Sequence, residues 1–104
     1  MRKRLVDLNP SWVNSGGEGI TVAATGLPAP ERNGIGIICD CPCGCDETLF
    51  VPFANPLDGG PSAYPNGWQR TGDTFETLTL APSIQRRGRC TWHGHLRNGV
   101  LESC

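Results

Sequence analysis

The segment CDCPCGC, residues 39–45, places four cysteines at every second position of seven. No other feature constrains the fold as tightly. In an extended strand Cys39, Cys41, Cys43 and Cys45 would all face one side, neighbours about 6.7 Å apart. Two thiolates on one metal ion, each about 2.3 Å from it, must lie within roughly 4 Å of each other. A straight strand cannot satisfy both conditions. Pro42 and Gly44 interrupt it, and their backbone preferences curl the segment into a tight knuckle with its thiols turned inward. Cys39 precedes the break and is expected to be a buried strand cysteine.

The flanks of the knuckle are β-prone. IGIICDC runs into it, and ETLFVPF leaves it with Leu49, Val51 and Phe53 alternating. Together they predict a β-hairpin with the cysteines at its tip. Elsewhere RKRLVDLNPSWV reads as a short strand and a turn at Asn9-Pro10. ITVAATGL, residues 20–27, reads as a strand. TFETLTLAPSI alternates over residues 74–81 and predicts a strand stopped by Pro82. CTWHGHLRNGVLESC predicts a last hairpin turning at Asn98-Gly99. The stretch between, ANPLDGGPSAYPNGWQRTGD, is long for a loop in so small a domain. With 14 Gly and 9 Pro among 104 residues, short strands and turns are favoured over helices. The expected fold is mainly β, one small domain over residues 1–104, of zinc-ribbon or Rieske-like type with two metal-binding hairpin tips.

The second tip is CTWHGH, residues 90–95. Cys90 and His93 stand at i, i+3, a spacing common in metal knuckles. The candidate ligands are therefore Cys41, Cys43, Cys45, Cys90 and His93, five donors for four places, and the spacing does not choose among them. If residues 93–95 are extended, His95 shares a face with His93. Mixed thiolate and imidazole donors point to one Zn2+ per chain. The alternative is a [2Fe-2S] Rieske centre, which needs two histidines on one iron; a cysteine stands here where its first histidine would be. Disulfides and plain burial are the other uses of these cysteines. Nothing resembles a signal peptide or a membrane span, so a cytoplasmic setting with reduced thiols is expected, where clustered cysteines bind metal more often than they pair.

Several motifs, CPCGC, FANPLDGGP, GWQRTGDTFETLTLAPSI and CTWHGHLRNGV, resemble in order a family of small phage- and prophage-encoded proteins of uncharacterised function. Some of its members carry the label ammonia monooxygenase. The resemblance covers about residues 35–101, and related domains occur beside bacterial ubiquitin-like conjugation genes. It implies a bacteriophage or mobile-element protein with a Cys/His metal site, working in the infected bacterial cell or in the virion. It implies no particular reaction.

The residues themselves favour binding over catalysis. A zinc closed by four protein ligands has no open position and stabilises without reacting. Neither an H-E-x-x-H helix, a Ser/His/Asp order, a Walker loop nor a dinucleotide fingerprint is present. Asp46, Glu47 and Asp58 are the available bases, and Asp58 before Gly59-Gly60 reads first as a turn residue. The net charge of −1 argues against a general polyanion binder, but Arg86, Arg87 and Arg89 cluster before Cys90. With Trp68 these form the expected contact surface for a protein partner, such as a host factor, or for nucleic acid. Trp92 is expected to pack over the metal.

Overall fold

The computed structural model describes residues 2–15, 31–86 and 91–103. Among these the chain is built from antiparallel strands in two sheets with almost no helix, as the mainly β expectation required. The strands are β1 (Arg2–Arg4), β2 (Ser11–Ser15), β3 (Arg32–Asp40), β4 (Thr48–Pro52), β5 (Gln69–Thr71), β6 (Thr79–Arg86), β7 (Trp92–Arg97) and β8 (Val100–Ser103). One sheet runs β1-β8-β7-β6-β5, the other β2-β3-β4. A 3-10 turn over Leu5–Leu8 links the two and buries Leu5 and Leu8.

The core lies where the inner faces of the sheets meet. Ile37, Cys39, Leu49, Val51 and Phe53 come from the smaller sheet and its continuation. Leu80, Ile84, Trp92, Leu96 and Leu101 come from the larger. The alternation read from Leu49, Val51 and Phe53 is the buried face of β4 and the residue just past it, and Phe53 is fully buried. Trp12 closes one end of the core, stacked on Phe75 at 4.6 Å between ring centroids and edge-on to Phe53 at 6.3 Å.

The two predicted hairpins form. Strands β3 and β4 pair from Gly36↔Pro52 to Asp40↔Thr48, leaving the cysteine knuckle at their tip. Strands β7 and β8 pair around Asn98 and Gly99, both at positive φ (45° and 72°), the backbone a two-residue primed turn demands.

Three expectations are corrected. Residues 74–77 are a turn and not strand. The hydroxyls of Thr74 and Thr77 lie 2.7 Å apart, and the Leu78 amide donates to the Thr74 carbonyl at 2.9 Å. Short hydroxyl side chains bonding to nearby groups compete with a strand that their alternation mimics. Pro82 does not stop the strand either: β6 runs through it to Arg86. The ladder steps from Leu80↔Leu96 to Ile84↔Gly94, so Ala81, Pro82 and Ser83 together oppose His95 alone. In that bulge the missing N–H of proline costs no ladder bond. The long stretch 54–73 is also more ordered than a loop, because it contributes β5 to the larger sheet. The strand expected over residues 20–27 lies outside the described residues.

That long stretch is tied down by side chains. Asn55 stands in for a strand neighbour, accepting from the Arg70 amide and donating to its carbonyl, both at 2.7 Å. Asp58 is the turn residue it was read as: its carboxylate accepts from the Gly60 amide at 2.8 Å. It also accepts from the Asn33 amide at 3.1 Å and from Arg32 Nε at 2.9 Å. The Arg32 guanidinium, then the Gly60 and Asn33 amides, hold the Asp58 carboxyl well below the usual carboxylate range. A depressed folded-state value means that the clamp contributes fully above the unfolded Asp value of about 3.9. It is lost as pH falls from there towards the folded value. Asp58→Ala is therefore expected to speed hydrogen exchange at the Asn33 and Gly60 amides at neutral pH. In the unsubstituted chain the same amides should lose protection, after correction for intrinsic rate, only on acidification below that range.

Candidate functional site

The knuckle closes as its sequence requires. The Gly44 amide donates to the Cys41 carbonyl at 3.1 Å, and the Cys41 amide to the Glu47 carbonyl at 2.9 Å. Gly44 and Asp46 take positive φ (80° and 63°) to complete the reversal. The result gathers the sulfurs of Cys41, Cys43 and Cys45 within 4.8 Å of one another, with Cys41 and Cys43 Sγ at 3.3 Å. The Cys41–Cys43 separation lies within the roughly 4 Å that two thiolates on one tetrahedral ion require. Cys41 is buried, Cys45 half-buried and Cys43 exposed, and none of the three is in a disulfide. Three converging thiols form a donor set suited to a tetrahedral, thiolate-bound metal.

Cys39 stays out of this group, as its place before the break implied. It lies in β3 within the core. Burial, then the charges of Asp40 and Cys41, push its thiol up to about 12, so it is a neutral apolar side chain. Cys90, the fourth candidate cysteine, lies outside the described residues, as do Cys104, Arg87 and Arg89.

His93 is in β7, exposed, and outside the group of three thiols. Its Nε2 is 3.0 Å from Ser83 Oγ. His95 follows on the same outward face, as expected for an extended 93–95, while Trp92, Gly94 and Leu96 point into the core. Neither imidazole joins the thiols, so the two-histidine donor set of a Rieske iron is not assembled among the described residues.

Three features fix Ser83. It is the last residue of the bulge, just before the ladder resumes at Ile84↔Gly94. The Trp68 indole N–H donates to the Ser83 carbonyl at 3.2 Å. Three residues on, Arg86 Nη1 donates to the Thr48 carbonyl at 2.7 Å and Nη2 lies 3.8 Å from Glu47, joining β6 to the base of the knuckle. Trp68 and Arg86, expected on a contact surface, are thus each engaged within the fold. Trp92 is buried, and its ring lies over Gly94, where an added Cβ would come within 2.7 Å of it. A serine hydroxyl on an imidazole nitrogen at 3.0 Å is the pairing that activates a serine nucleophile. The sequence reading missed it because Ser83 and His93 belong to no linear motif. The one signal was a proline inside an otherwise regular strand pattern, which marks a bulge.

Cys41→Ser, Cys43→Ser and Cys45→Ser are each expected to bring bound metal well below stoichiometric, by elemental analysis of protein purified without a polyhistidine tag. Cys39→Ser should keep full metal content and cost only about 1–2 kcal/mol in a urea melt, the penalty of a buried hydroxyl.

Neither a curated protein nor a solved structure matches the chain. Residues 28–104, a span that contains the knuckle, the bulge and His93, match the model of the family described as bacterial ubiquitination-like system serine protease (BubE). The chain belongs to that family.

Proposed function

We propose that the chain is a serine peptidase acting on a polypeptide of a bacterial ubiquitination-like system, with Ser83 as nucleophile and His93 as general base. The observation that carries this reading is the 3.0 Å separation of Ser83 Oγ and His93 Nε2 on the outward face of a sheet. The family's description agrees with it.

The chemistry follows from the pair. With its proton on Nδ1, the His93 ring accepts the Ser83 hydroxyl proton at Nε2 as Oγ attacks the scissile carbonyl carbon. Collapse of the tetrahedral adduct breaks the C–N bond. His93 returns the proton to the leaving amine, and the acyl group remains as an ester on Ser83. Water, deprotonated by His93, then attacks the ester carbonyl; the C–O bond to Ser83 breaks, the acyl group leaves as a carboxylic acid, and His93 returns the proton to Ser83 Oγ. Among the described residues no carboxylate bonds to the His93 ring, so the pair is read as a dyad. Its alignment comes from the strands: Gln85 pairs with His93 across β6 and β7, and Trp68 holds the Ser83 carbonyl.

The metal is read as structural. Cys41, Cys43 and Cys45 supply three thiolates, and Cys90 is the proposed fourth ligand, which leaves His93 to the serine. Zinc suits four thiolates. When bound, it would tie Cys90 to the β3–β4 hairpin. Reduced thiols of this kind suit the bacterial cytoplasm.

A fluorophosphonate probe tests the nucleophile directly. It should label the metal-loaded protein at Ser83, located by mass spectrometry. Ser83→Ala should abolish labelling, and His93→Ala should slow it by about 10²–10⁴-fold, the usual contribution of a general base. Labelling of another residue, or none, would overturn the assignment. Removal of the metal with a strong chelator should lower the melting temperature and the labelling rate together, since metal binding is coupled to folding.

A further inference from the structure

Beyond the dyad, the outward face of the larger sheet carries one feature with a chemical direction. His93, His95 and Arg97 point outward in turn along β7. The same face continues across β8 and β1, with His95 paired to Glu102, Arg97 to Val100 and Arg2 to Glu102. Here lies a cleft of about 500 Å³, lined by Arg2, His95, Arg97, Asn98, Val100 and Glu102. It adjoins the dyad directly, because His95 is both the residue opposite the Ala81-Pro82-Ser83 bulge and part of the cleft wall.

The charge of the cleft is unbalanced. Two guanidinium groups face one carboxylate. Arg2 Nε stands 3.9 Å from Glu102 Oε2, so those two charges offset each other. Arg97 is exposed and forms no ion pair among the described residues. A polypeptide seated on Ser83 and running along β7 meets His95 two positions from His93 and Arg97 four positions from it, about 13 Å at 3.3 Å per residue.

We propose that this cleft is the specificity subsite of the peptidase, and that it takes an acidic side chain of the substrate on Arg97. That residue would lie two to four positions from the scissile bond. The proposal rests on the reading of Ser83 and His93 given above. The Asn98 amide of the wall is neutral and Arg2 is offset by Glu102, so the discriminating interaction is a charge-assisted bond from Arg97 to a carboxylate. A chain-terminal carboxylate has the same chemistry, and the test separates the two sources.

The test uses the metal-loaded Ser83→Ala chain, which binds without turnover, and fluorescence anisotropy with labelled decapeptides. One peptide carries two central glutamates and an amidated end. A second carries glutamines with the end amidated, and a third carries glutamines with a free terminal carboxylate. The glutamate peptide should bind about tenfold more tightly than the amidated glutamine peptide, the size of one hydrogen bond to a charged group. The preference should vanish in Arg97→Gln, survive in part in Arg97→Lys and weaken at high salt. Equal binding of all three, no binding of any, or a preference untouched by Arg97→Gln would overturn the subsite. Tightest binding of the free-terminus peptide would overturn the side-chain assignment in favour of a chain end. Fluorophosphonate labelling of the unsubstituted protein runs beside it: a glutamate preference without labelling would remove the peptidase reading and leave the carboxylate site standing.

Discussion

The reversal at residues 41–47 gathers three thiols while burying Cys41 and Pro42, and the surrounding geometry depends on this knuckle. As thiolates the three would repel one another, and a cation bound among them would offset that repulsion. The knuckle's base is formed by Glu47 and Thr48, and these two residues receive the Arg86 guanidinium from β6. Ser83 is three residues back along the same strand. The base of the knuckle is thus tied to the strand that carries the proposed nucleophile. A metal bound at the knuckle would not need to touch substrate to influence the proposed activity.

The second determinant is the bulge in β6. Ser83 ends the bulge, where three residues stand against His95 and the ladder resumes at Ile84↔Gly94. Its Oγ there lies 3.0 Å from Nε2 of His93, two residues along β7 from His95. A bulge is costly where ladder bonds are lost. Here the loss is limited, because Pro82 has no amide to satisfy and Trp68 donates to the Ser83 carbonyl from the opposite edge. The stretch 54–73 has its explanation in this contact. It is long because it must cross from β4, form the edge strand β5 and carry the indole to Ser83, and its Asn55 and Asp58 anchors keep it in that path.

Much of this was legible in the residues, and the reasons for the failures are specific. The β3–β4 hairpin announced itself because Leu49, Val51 and Phe53 alternate and the knuckle can fold in only one compact way. The Asn98-Gly99 turn was equally plain, since few other pairs accept two positive φ angles. Residues 74–77 misled because threonine is both a strand former and a hydroxyl that closes turns, and only the tertiary setting decides which property prevails. Pro82 misled because proline usually ends a ladder; its tolerance depends on a neighbour across the sheet that the linear sequence does not reveal. The Ser83–His93 contact was hidden for a related reason. Its members are ten residues apart on adjacent strands, so a search for catalytic residues in a fixed order passes over them. His93, three residues after Cys90, carries the pattern of a metal ligand, and its contact with Ser83 belongs to a neighbouring strand that this local pattern does not include.

A dyad on an open sheet face differs from a triad in a deep cleft in what it must obtain from its substrate. His93 is exposed and has no carboxylate to orient its ring among the described residues, so little of the transition-state environment is enclosed by the chain itself. Electrostatic stabilisation is strong only where water is excluded. If Ser83 and His93 act as proposed, the substrate polypeptide must do the excluding, by lying over β7 and covering the pair. Such an enzyme would be slow on short peptides that leave the pair wet. It would be effective on a folded protein presenting an extended end along the strand. The Arg97 cleft fits that requirement. Anchoring a carboxylate several residues from the scissile bond fixes the position of an otherwise flexible segment, and the binding energy so obtained holds the carbonyl against Ser83. Selectivity then comes from which chain can reach both points at once, and a small domain with a sparse active site can still discriminate among substrates.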